Sequence, residues 1–151
     1  MKAYVMRHCL TDLGPQMDET RTLDETGEAQ AHVMRKFAKR AQVQPDIIIC
    51  SDFARAHDTA KIMQRGSTPI ITTPLLRPDG DQSKAWKFIE KQVAKLKKDP
   101  DEGAPSVLIV THSPLIYPLL GAVAFAFADE RWIFHHGAIA YVNTHESRFR
   151  W

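Results

Sequence analysis

Short apolar runs alternate along the chain with longer stretches in which apolar residues recur every three or four positions. Most of the short runs are rich in valine or isoleucine, which is typical of buried strands. The longer stretches have the spacing of amphipathic helices. The predicted strands cover residues 3–6, 47–49, 69–71 and 107–110, and the predicted helices cover residues 25–40, 54–64 and 84–97.

The same spacing predicts which helix faces pack against the core. In the first helix, the apolar positions at helical intervals are Val33, Phe37 and Ala41. In the third helix, they are Trp86, Ile89, Val93 and Leu96. Residues that favour N-cap positions stand near the three helix starts, and the candidates are Asp24, Ser51 and Ser83.

Strand alternating with helix predicts an α/β fold, a three-layer sandwich with a mostly parallel central sheet and helices on both faces. Ile133–Phe134 and residues 138–142 predict one or two late strands, antiparallel to the others. The chain has 151 residues, the size of one ordinary domain, so residues 1–151 are predicted to form a single domain.

Composition excludes several classes of protein. No apolar run approaches the ~20 residues that span a bilayer, and the first residues lack the pattern of a secretory signal. Two cysteines, Cys9 and Cys50, indicate free thiols in a reducing compartment, so we expect a cytoplasmic protein that does not bind a membrane. The net charge is only +2, with basic and acidic residues interspersed, and no nucleic-acid partner is predicted.

Two histidines follow predicted strands. His8 comes directly after the first strand and is preceded by Arg7, and His112 comes one residue after the fourth. Ligands of α/β sheets bind at the carboxyl ends of strands. We therefore expect His8 and His112 to share one site.

Arg55 stands in the first turn of the second helix, where a cation opposes the helix dipole. A bound anion would offset this cost, because Arg55 and the free backbone N–H groups would converge on it. The alternative is an arginine that reaches solvent or Asp58.

Arg7, His8, Arg55 and His112 together suit phosphoryl transfer, because arginines match the charge and geometry of phosphoryl oxygens. Histidine attacks phosphorus only when it is neutral, and its ordinary pKa is ~6.5. We expect the neighbouring arginines to disfavour the imidazolium form of His8.

Four motifs carry a family resemblance. They are Met6-Arg7-His8, Arg21-Thr22-Leu23-Asp24-Glu25-Thr26-Gly27, Ser51-Asp52-Phe53-Ala54-Arg55-Ala56 with Thr59-Ala60, and Val110-Thr111-His112-Ser113-Pro114-Leu115. In order and spacing they resemble the histidine phosphatase superfamily, over nearly the whole chain. They look closest to the small SixA-like phosphohistidine phosphatases, which lack the insertions that cover the pocket in phosphoglycerate mutases and acid phosphatases.

The resemblance implies roles for these residues. His8 becomes phosphorylated, while Arg7, Arg55 and His112 bind the phosphoryl oxygens. Arg21 either adds a further phosphate contact or is a solvated loop charge.

The chain departs from the family at two points. Cys9 stands where the family usually has glycine, which allows a close backbone approach, so we expect a rearranged loop there. Cys9 itself is either a reactive thiol beside arginine or a plain small side chain. Asp79 and Asp81 are the candidates for the general acid; Asp81 stands at the position that faces the pocket in small members, yet both are also ordinary turn residues.

The remaining histidines lack the spacing of metal ligands, so surface or packing roles are expected, and no metal or cofactor is predicted. They are His32, His57, His135, His136 and His145. Between Arg55 and His112 there is room for little more than one strand and one helix, so we expect an open pocket without a lid.

The predicted function is a phosphatase with a phosphohistidine intermediate, acting on phosphohistidine of a protein. Two alternatives remain. One is a phosphatase of small phosphorylated substrates, and the other is a non-catalytic phosphate-binding or interaction module of the same fold.

Overall fold

A five-stranded sheet lies between two layers of helices in the computed structural model, which describes residues 1–123 and 133–144. The strands are β1 (Lys2–Arg7), β2 (Ile47–Ser51), β3 (Ile70–Thr73), β4 (Ser106–Thr111) and β5 (Ile139–Asn143). The main helices are α1 (Glu25–Arg40), α2 (Ala54–Met63), α3 (Gln82–Ala94) and α4 (Ile116–Gly121). The predicted three-layer α/β fold is confirmed.

The strand order β3-β2-β4-β1-β5 brings three strand ends together. Strands β1 to β4 run parallel, and β5 pairs antiparallel with β1 at the edge. Arg7 is level with Thr111 across β1 and β4, and Cys50 is level with Val110 across β2 and β4. The residues that follow β1, β2 and β4 therefore meet at one edge of the sheet.

Alternate strand residues pack into two cores on opposite faces of the sheet. In β2, Ile47 and Ile49 pack on the face covered by α3 and α4, and Ile48 packs on the face covered by α1 and α2. The predicted stripe of α3 is confirmed, since Trp86, Ile89 and Val93 are buried and Leu96 packs beside them.

The predicted packing face of α1 is wrong. Val33 and Phe37 are 63% and 54% exposed, and Ala41 is exposed as well. The buried residues of α1 are Gly27, Ala31 and Ala38. At Gly27 the helix lies so close to the preceding loop that a Cβ would overlap the carbonyl oxygen of Leu10. At this position, contact distance rather than hydrophobicity decides which residue fits.

The helix starts agree with the prediction only in α1. Asp24 caps α1 by accepting a hydrogen bond from the amide of Gly27 at 2.6 Å. Ser51 is the last residue of β2 instead of an N-cap; Phe53 holds the cap position of α2, and its amide donates to Ser51 Oγ at 3.2 Å.

The C-terminal part contributes one strand. β5 is the predicted late antiparallel strand, whereas Ile133 and Phe134 precede it without regular structure. Within the two described stretches of the chain, no helix has both the length and the apolar character needed to cross a membrane.

Candidate active site

His8 and His112 lie side by side at the ends of β1 and β4. The amide of His8 donates to the carbonyl of Thr111 at 3.0 Å, which continues the β1–β4 pairing by one residue. The two ring centroids are 4.9 Å apart, and the residues are only 5% and 1% exposed. The structure therefore brings together the two histidines that the strand ends predict.

Backbone contacts determine the tautomer of His8. Its Nδ1 is 2.7 Å from the carbonyl oxygen of Cys9, and a carbonyl only accepts, so Nδ1 carries the proton. Nε2 therefore holds a lone pair, and it accepts a hydrogen bond from Nε–H of Arg55 at 3.3 Å. The nitrogen able to attack phosphorus thus faces the predicted phosphate-binding arginine.

Burial keeps His8 neutral. Burial is the main reason that the pKa of His8 falls to about 3. The hydrogen bond to the Cys9 carbonyl raises this pKa, whereas the nearby Arg55, His136 and Arg7 lower it further. The neighbouring arginines lower the pKa of His8 as expected, but each contributes less than burial does. A neutral imidazole is the form in which Nε2 is nucleophilic.

Burial also lowers the pKa of His112, to about 2, and the neighbouring His8, Arg55 and Arg7 lower it further. A neutral imidazole carries one N–H, so His112 has a donor for an oxyanion without a charge of its own.

Arg55 is buried and held by a carboxylate that the sequence did not single out. Its Nη1 donates to the main-chain oxygen of Asp18 at 2.6 Å and lies 3.2 Å from Asp18 Oδ1, and its Nη2 donates to Oδ2 at 3.3 Å. The partner of Arg55 is therefore Asp18 rather than solvent or Asp58. The one signal for Asp18 is its position three residues before Arg21, which lies 3.6 Å from Oδ1.

The loop between β1 and α1, residues 9–24, reaches Arg55 through Asp18. This contact comes from before α1 and not from between Arg55 and His112, and the open pocket stays a prediction. The Asp18 side chain is 52% exposed, whereas that of Arg55 is 8% exposed.

Arg7 is held by the segment that precedes β5. Its Nη1 donates to the carbonyl of Phe134 at 2.6 Å, and its Nη2 lies 3.2 Å from Nε2 of His136. The ring of His136 is 5.3 Å from that of His8. His136 therefore contacts two of the predicted site residues, Arg7 and His8, and the sequence did not single it out for the site.

No local signal points to His136, because it reaches Arg7 from 129 residues away through the pairing of β5 with β1. His145 lies outside the described residues.

Several buried polar atoms at this edge have no hydrogen-bond partner among the described residues. They are Nε of Arg7, Nε of Arg21, both ring nitrogens of His112 and Oγ of Ser113. Native proteins rarely leave such groups unpaired. All but the last belong to residues that the sequence assigns to phosphate, so their concentration indicates a site for an anionic ligand.

Cys9 is buried in the turn that follows β1, and the rearrangement expected of this loop stays a prediction. Its amide donates to Oγ1 of Thr59 on α2 at 3.1 Å. Gly137 makes room for the thiol: a Cβ at Gly137 would lie 3.3 Å from Sγ of Cys9, and φ at Gly137 is +78°. Burial raises the pKa of the Cys9 thiol to about 11, which favours the plain small side chain over a reactive thiolate.

The structure gives Asp81 a different place from the one expected. Asp81 is exposed and caps α3 by accepting from the amide of Lys84 at 2.8 Å, so the cap predicted at Ser83 is also wrong. Asp79 is exposed beside Arg77. Neither aspartate is among the groups that shift the pKa of His8, which are all cationic side chains, histidine or backbone.

Within residues 1–123 and 133–144, no group of three or more histidine, cysteine or acidic residues is arranged to hold a metal ion. The described chemistry of the site consists of a neutral imidazole with a free lone pair, a second neutral imidazole, the buried side chain of Arg55 and the half-buried side chain of Arg7, which meet at one edge of the sheet.

Comparison with known proteins supports the family resemblance independently of the site geometry. The model of the histidine phosphatase superfamily, branch 1, matches residues 3–78. Phosphohistidine phosphatase SixA of Escherichia coli (strain K12) is 26% identical over 121 residues, which are 77% of this chain and 70% of SixA.

Two solved structures are similar in fold. The protein histidine phosphatase SixA complexed with tungstate matches with a TM-score of 0.76 and 24% identity, over 95% of this chain and 88% of that chain. A mycobacterial glucosyl-3-phosphoglycerate phosphatase matches with a TM-score of 0.71 and 18% identity, over 94% and 89% of the two chains.

The segment matched by the family covers half of the chain and includes β1, the loop over residues 9–24, and α2, which together position Arg7, His8 and Arg55. This chain belongs to the histidine phosphatase superfamily.

Proposed function

We propose that this chain is a phosphatase in which Nε2 of His8 takes the phosphoryl group, and that its substrate is phosphohistidine on a protein. The observation that carries the chemistry is the hydrogen bond from Nδ1 of His8 to the Cys9 carbonyl at 2.7 Å. It leaves the lone pair of Nε2 directed toward Arg55, where a phosphoryl group would be bound.

In the first step, Nε2 of His8 bonds to phosphorus, and the bond between phosphorus and the substrate's ring nitrogen breaks with its electron pair staying on that nitrogen. The other ring nitrogen of the substrate already carries a proton from solvent, so the ring leaves as neutral imidazole. Arg7 and Arg55 stabilise the charge on the three phosphoryl oxygens, and His112 donates a hydrogen bond to one of them. Once Nε2 is phosphorylated, the ring of His8 becomes cationic, and the Cys9 carbonyl stabilises it through Nδ1–H.

In the second step, water attacks the phosphorus and the bond to Nε2 of His8 breaks. The lone pair returns to Nε2, inorganic phosphate leaves, and the proton of the attacking water passes to solvent. The neutral resting form of His8 is thereby restored.

The leaving group favours a phosphorus–nitrogen bond. Alkoxide has a conjugate acid with a pKa near ~15.7, so an alkyl ester needs a well-placed proton donor. Protonated imidazole leaves as a neutral base with a pKa of ~6.5. Because Asp81 is occupied in capping α3 and Asp79 is exposed, we assign neither as that donor. Phosphohistidine needs no donor from the protein, because solvent can protonate its ring.

The similarity to a protein named phosphohistidine phosphatase SixA supports the same substrate. A free thiol is compatible with a reducing compartment, and both cysteines are free and buried, so a cytoplasmic location is part of the proposal. A nucleic-acid partner or a metal ion has no role in it.

A second candidate function is hydrolysis of small phosphomonoesters. The fold is shared with a glucosyl-3-phosphoglycerate phosphatase, and the loop before α1 contacts Arg55 through Asp18. A non-catalytic module is less well supported, because the backbone of Cys9 contacts Thr59 and orients the ring of His8 with Nε2 toward Arg55.

The test compares kcat/KM for a histidine-phosphorylated protein with that for a sugar phosphate, with His8→Ala as the inactive control. We expect the phosphoprotein to be the better substrate and turnover to survive EDTA. A preference for the sugar phosphate would replace the proposal with the second candidate function. Phosphate release by His8→Ala at the wild-type rate would contradict both candidate functions.

Exposed apolar residues allow a matched test of whether the substrate is a protein. Leu13 and Met17 are 85% and 71% exposed on the loop that carries Asp18. We expect Leu13→Ser with Met17→Ser to raise KM for the phosphoprotein but not for a small phosphoramidate. Val33→Ser, at an exposed apolar position two turns into α1, is the control that should change neither value.

A further inference from the structure

The two arginines at the site are held by partners of different charge. Arg55 is paired with the carboxylate of Asp18. Arg7 instead donates to a main-chain carbonyl, that of Phe134, and to a ring nitrogen of His136. A carboxylate partner reduces the attraction of an arginine for phosphate, whereas a neutral acceptor orients the guanidinium and leaves its full charge.

The chemistry of guanidinium determines the form of His136. Arginine has only donors, so at 3.2 Å from Nη2 of Arg7 the Nε2 atom of His136 accepts, and its ring proton is on Nδ1. Burial lowers the pKa of His136, with further contributions from Arg7, His135 and Arg55, while Asp24 raises it. The geometry and the surroundings both favour the neutral ring.

The backbone holds His136 in this place. The amide of Gly137 donates to the carbonyls of Arg7 and His8 at 3.1 and 3.2 Å, and the amide of Arg7 donates to the carbonyl of Ala138 at 3.0 Å. His136 is therefore fixed to the same strand end that carries the nucleophile.

We propose that His136 is a positioning residue for Arg7, a neutral acceptor that fixes the guanidinium for phosphate binding without neutralising its charge. This inference rests on the proposed function only in taking Arg7 as a phosphate ligand. A member of the family could hold that arginine in other ways; in this chain the acceptor is an imidazole that also lies 5.3 Å from the nucleophilic ring.

Three substitutions at His136 test separately whether a hydrogen-bond acceptor is needed and whether that acceptor has to be neutral. His136→Gln keeps a neutral acceptor, His136→Phe keeps a ring without one, and His136→Glu keeps an acceptor but adds a negative charge. The exposed neighbour supplies the control, His135→Phe. The readouts are the Kd for tungstate by calorimetry, which needs no turnover, and kcat/KM with the histidine-phosphorylated protein.

We expect His136→Phe to weaken tungstate binding about tenfold or more, since a hydrogen bond to a charged group is lost. His136→Glu should also weaken tungstate binding, and His136→Gln should recover most of the loss, with His135→Phe like the wild type. Wild-type affinity in His136→Phe, equal affinity in the Glu and Gln variants, or no recovery in His136→Gln would each overturn the inference.

A measurement on the wild-type protein covers the case in which a variant fails to fold. The ¹⁵N chemical shifts of His136 should show an unprotonated Nε2 and a protonated Nδ1, and a protonated Nε2 would overturn the inference. Tungstate binding and tautomer are independent of the substrate, so failure of the phosphohistidine assignment would leave this inference standing, and the reverse also holds.

Discussion

Arg55 donates its Nε–H to Nε2 of His8 over 3.3 Å, so the proposed nucleophile and the proposed phosphate-binding cation are in direct contact. Arg55 therefore reaches the nitrogen that, in the proposed mechanism, attacks phosphorus. In the proposed reaction, the Nε–H of Arg55 changes its acceptor from Nε2 of His8 to a phosphoryl oxygen. This change of one hydrogen bond frees the lone pair of Nε2 for attack.

Arg55→Ala should lower kcat by at least ~10²-fold, because it removes a fixed donor for the charge on the transferring group. Steady-state rates with the histidine-phosphorylated protein measure the loss. Arg77→Ala is the matched control, since Arg77 stacks on the same Phe53 ring as Arg55 but pairs with Asp52. A near-normal rate in Arg55→Ala, or an equal loss in Arg77→Ala, would contradict the role given to Arg55.

Asp18→Asn should tighten the binding of oxyanions by several fold. The carboxylate of Asp18 contacts Nη1 and Nη2 of Arg55, and an incoming anion has to compete with it. Inhibition constants for orthovanadate measure the change, and Asp52→Asn, which removes a carboxylate from Arg77, should have no such effect. Weaker inhibition of Asp18→Asn would show that Asp18 mainly orients Arg55.

His112→Phe should make the stability of the protein less sensitive to acid. The pKa of His112 is lowered in the folded state, so the unfolded chain takes up more protons below pH ~6.5. The free energy of unfolding is therefore highest above that pH and falls as the pH decreases, by about 2 kcal/mol at pH 5 for this one buried group.

Urea unfolding at pH 7 and pH 5 measures how much the free energy of unfolding decreases in acid. The decrease between the two values should be smaller in His112→Phe than in the wild type, while the exposed His32→Phe variant should follow the wild type. The same decrease in all three proteins would contradict the view that His112 is held neutral by burial.

Asp81→Ala should destabilise the protein by about 1 kcal/mol and leave kcat for phosphohistidine unchanged, because Asp81 caps α3. Asp81→Asn should keep most of the stability, since asparagine is also a good cap. Thermal unfolding and steady-state rates measure both effects. Loss of phosphohistidine turnover in Asp81→Asn as complete as in His8→Ala would make Asp81 the general acid after all.

The parts of the site that depend on local sequence could be predicted. His8 and His112 directly follow strands, and Arg55 opens a helix, so a parallel sheet brings them together from their local positions alone. The parallel order itself follows from strands alternating with helices.

The parts that depend on distant contacts could not be predicted. His136 reaches Arg7 only through the antiparallel pairing of β5 with β1, and Asp18 reaches Arg55 through the irregular path of its loop. The packing face of α1 was mispredicted for a related reason. Close approach to Leu10 favours Gly27 over larger apolar residues, which leaves Val33 and Phe37 outside.

The most direct test of the account is to find the phosphoryl group on the protein during turnover. Wild-type protein is mixed with a ³²P-labelled histidine-phosphorylated substrate, quenched in alkali, and digested for mass spectrometry. The account predicts an acid-labile, alkali-stable label on Nε2 of His8 that is absent from His8→Ala. Turnover with no label on His8, or with the label on another residue, would contradict it.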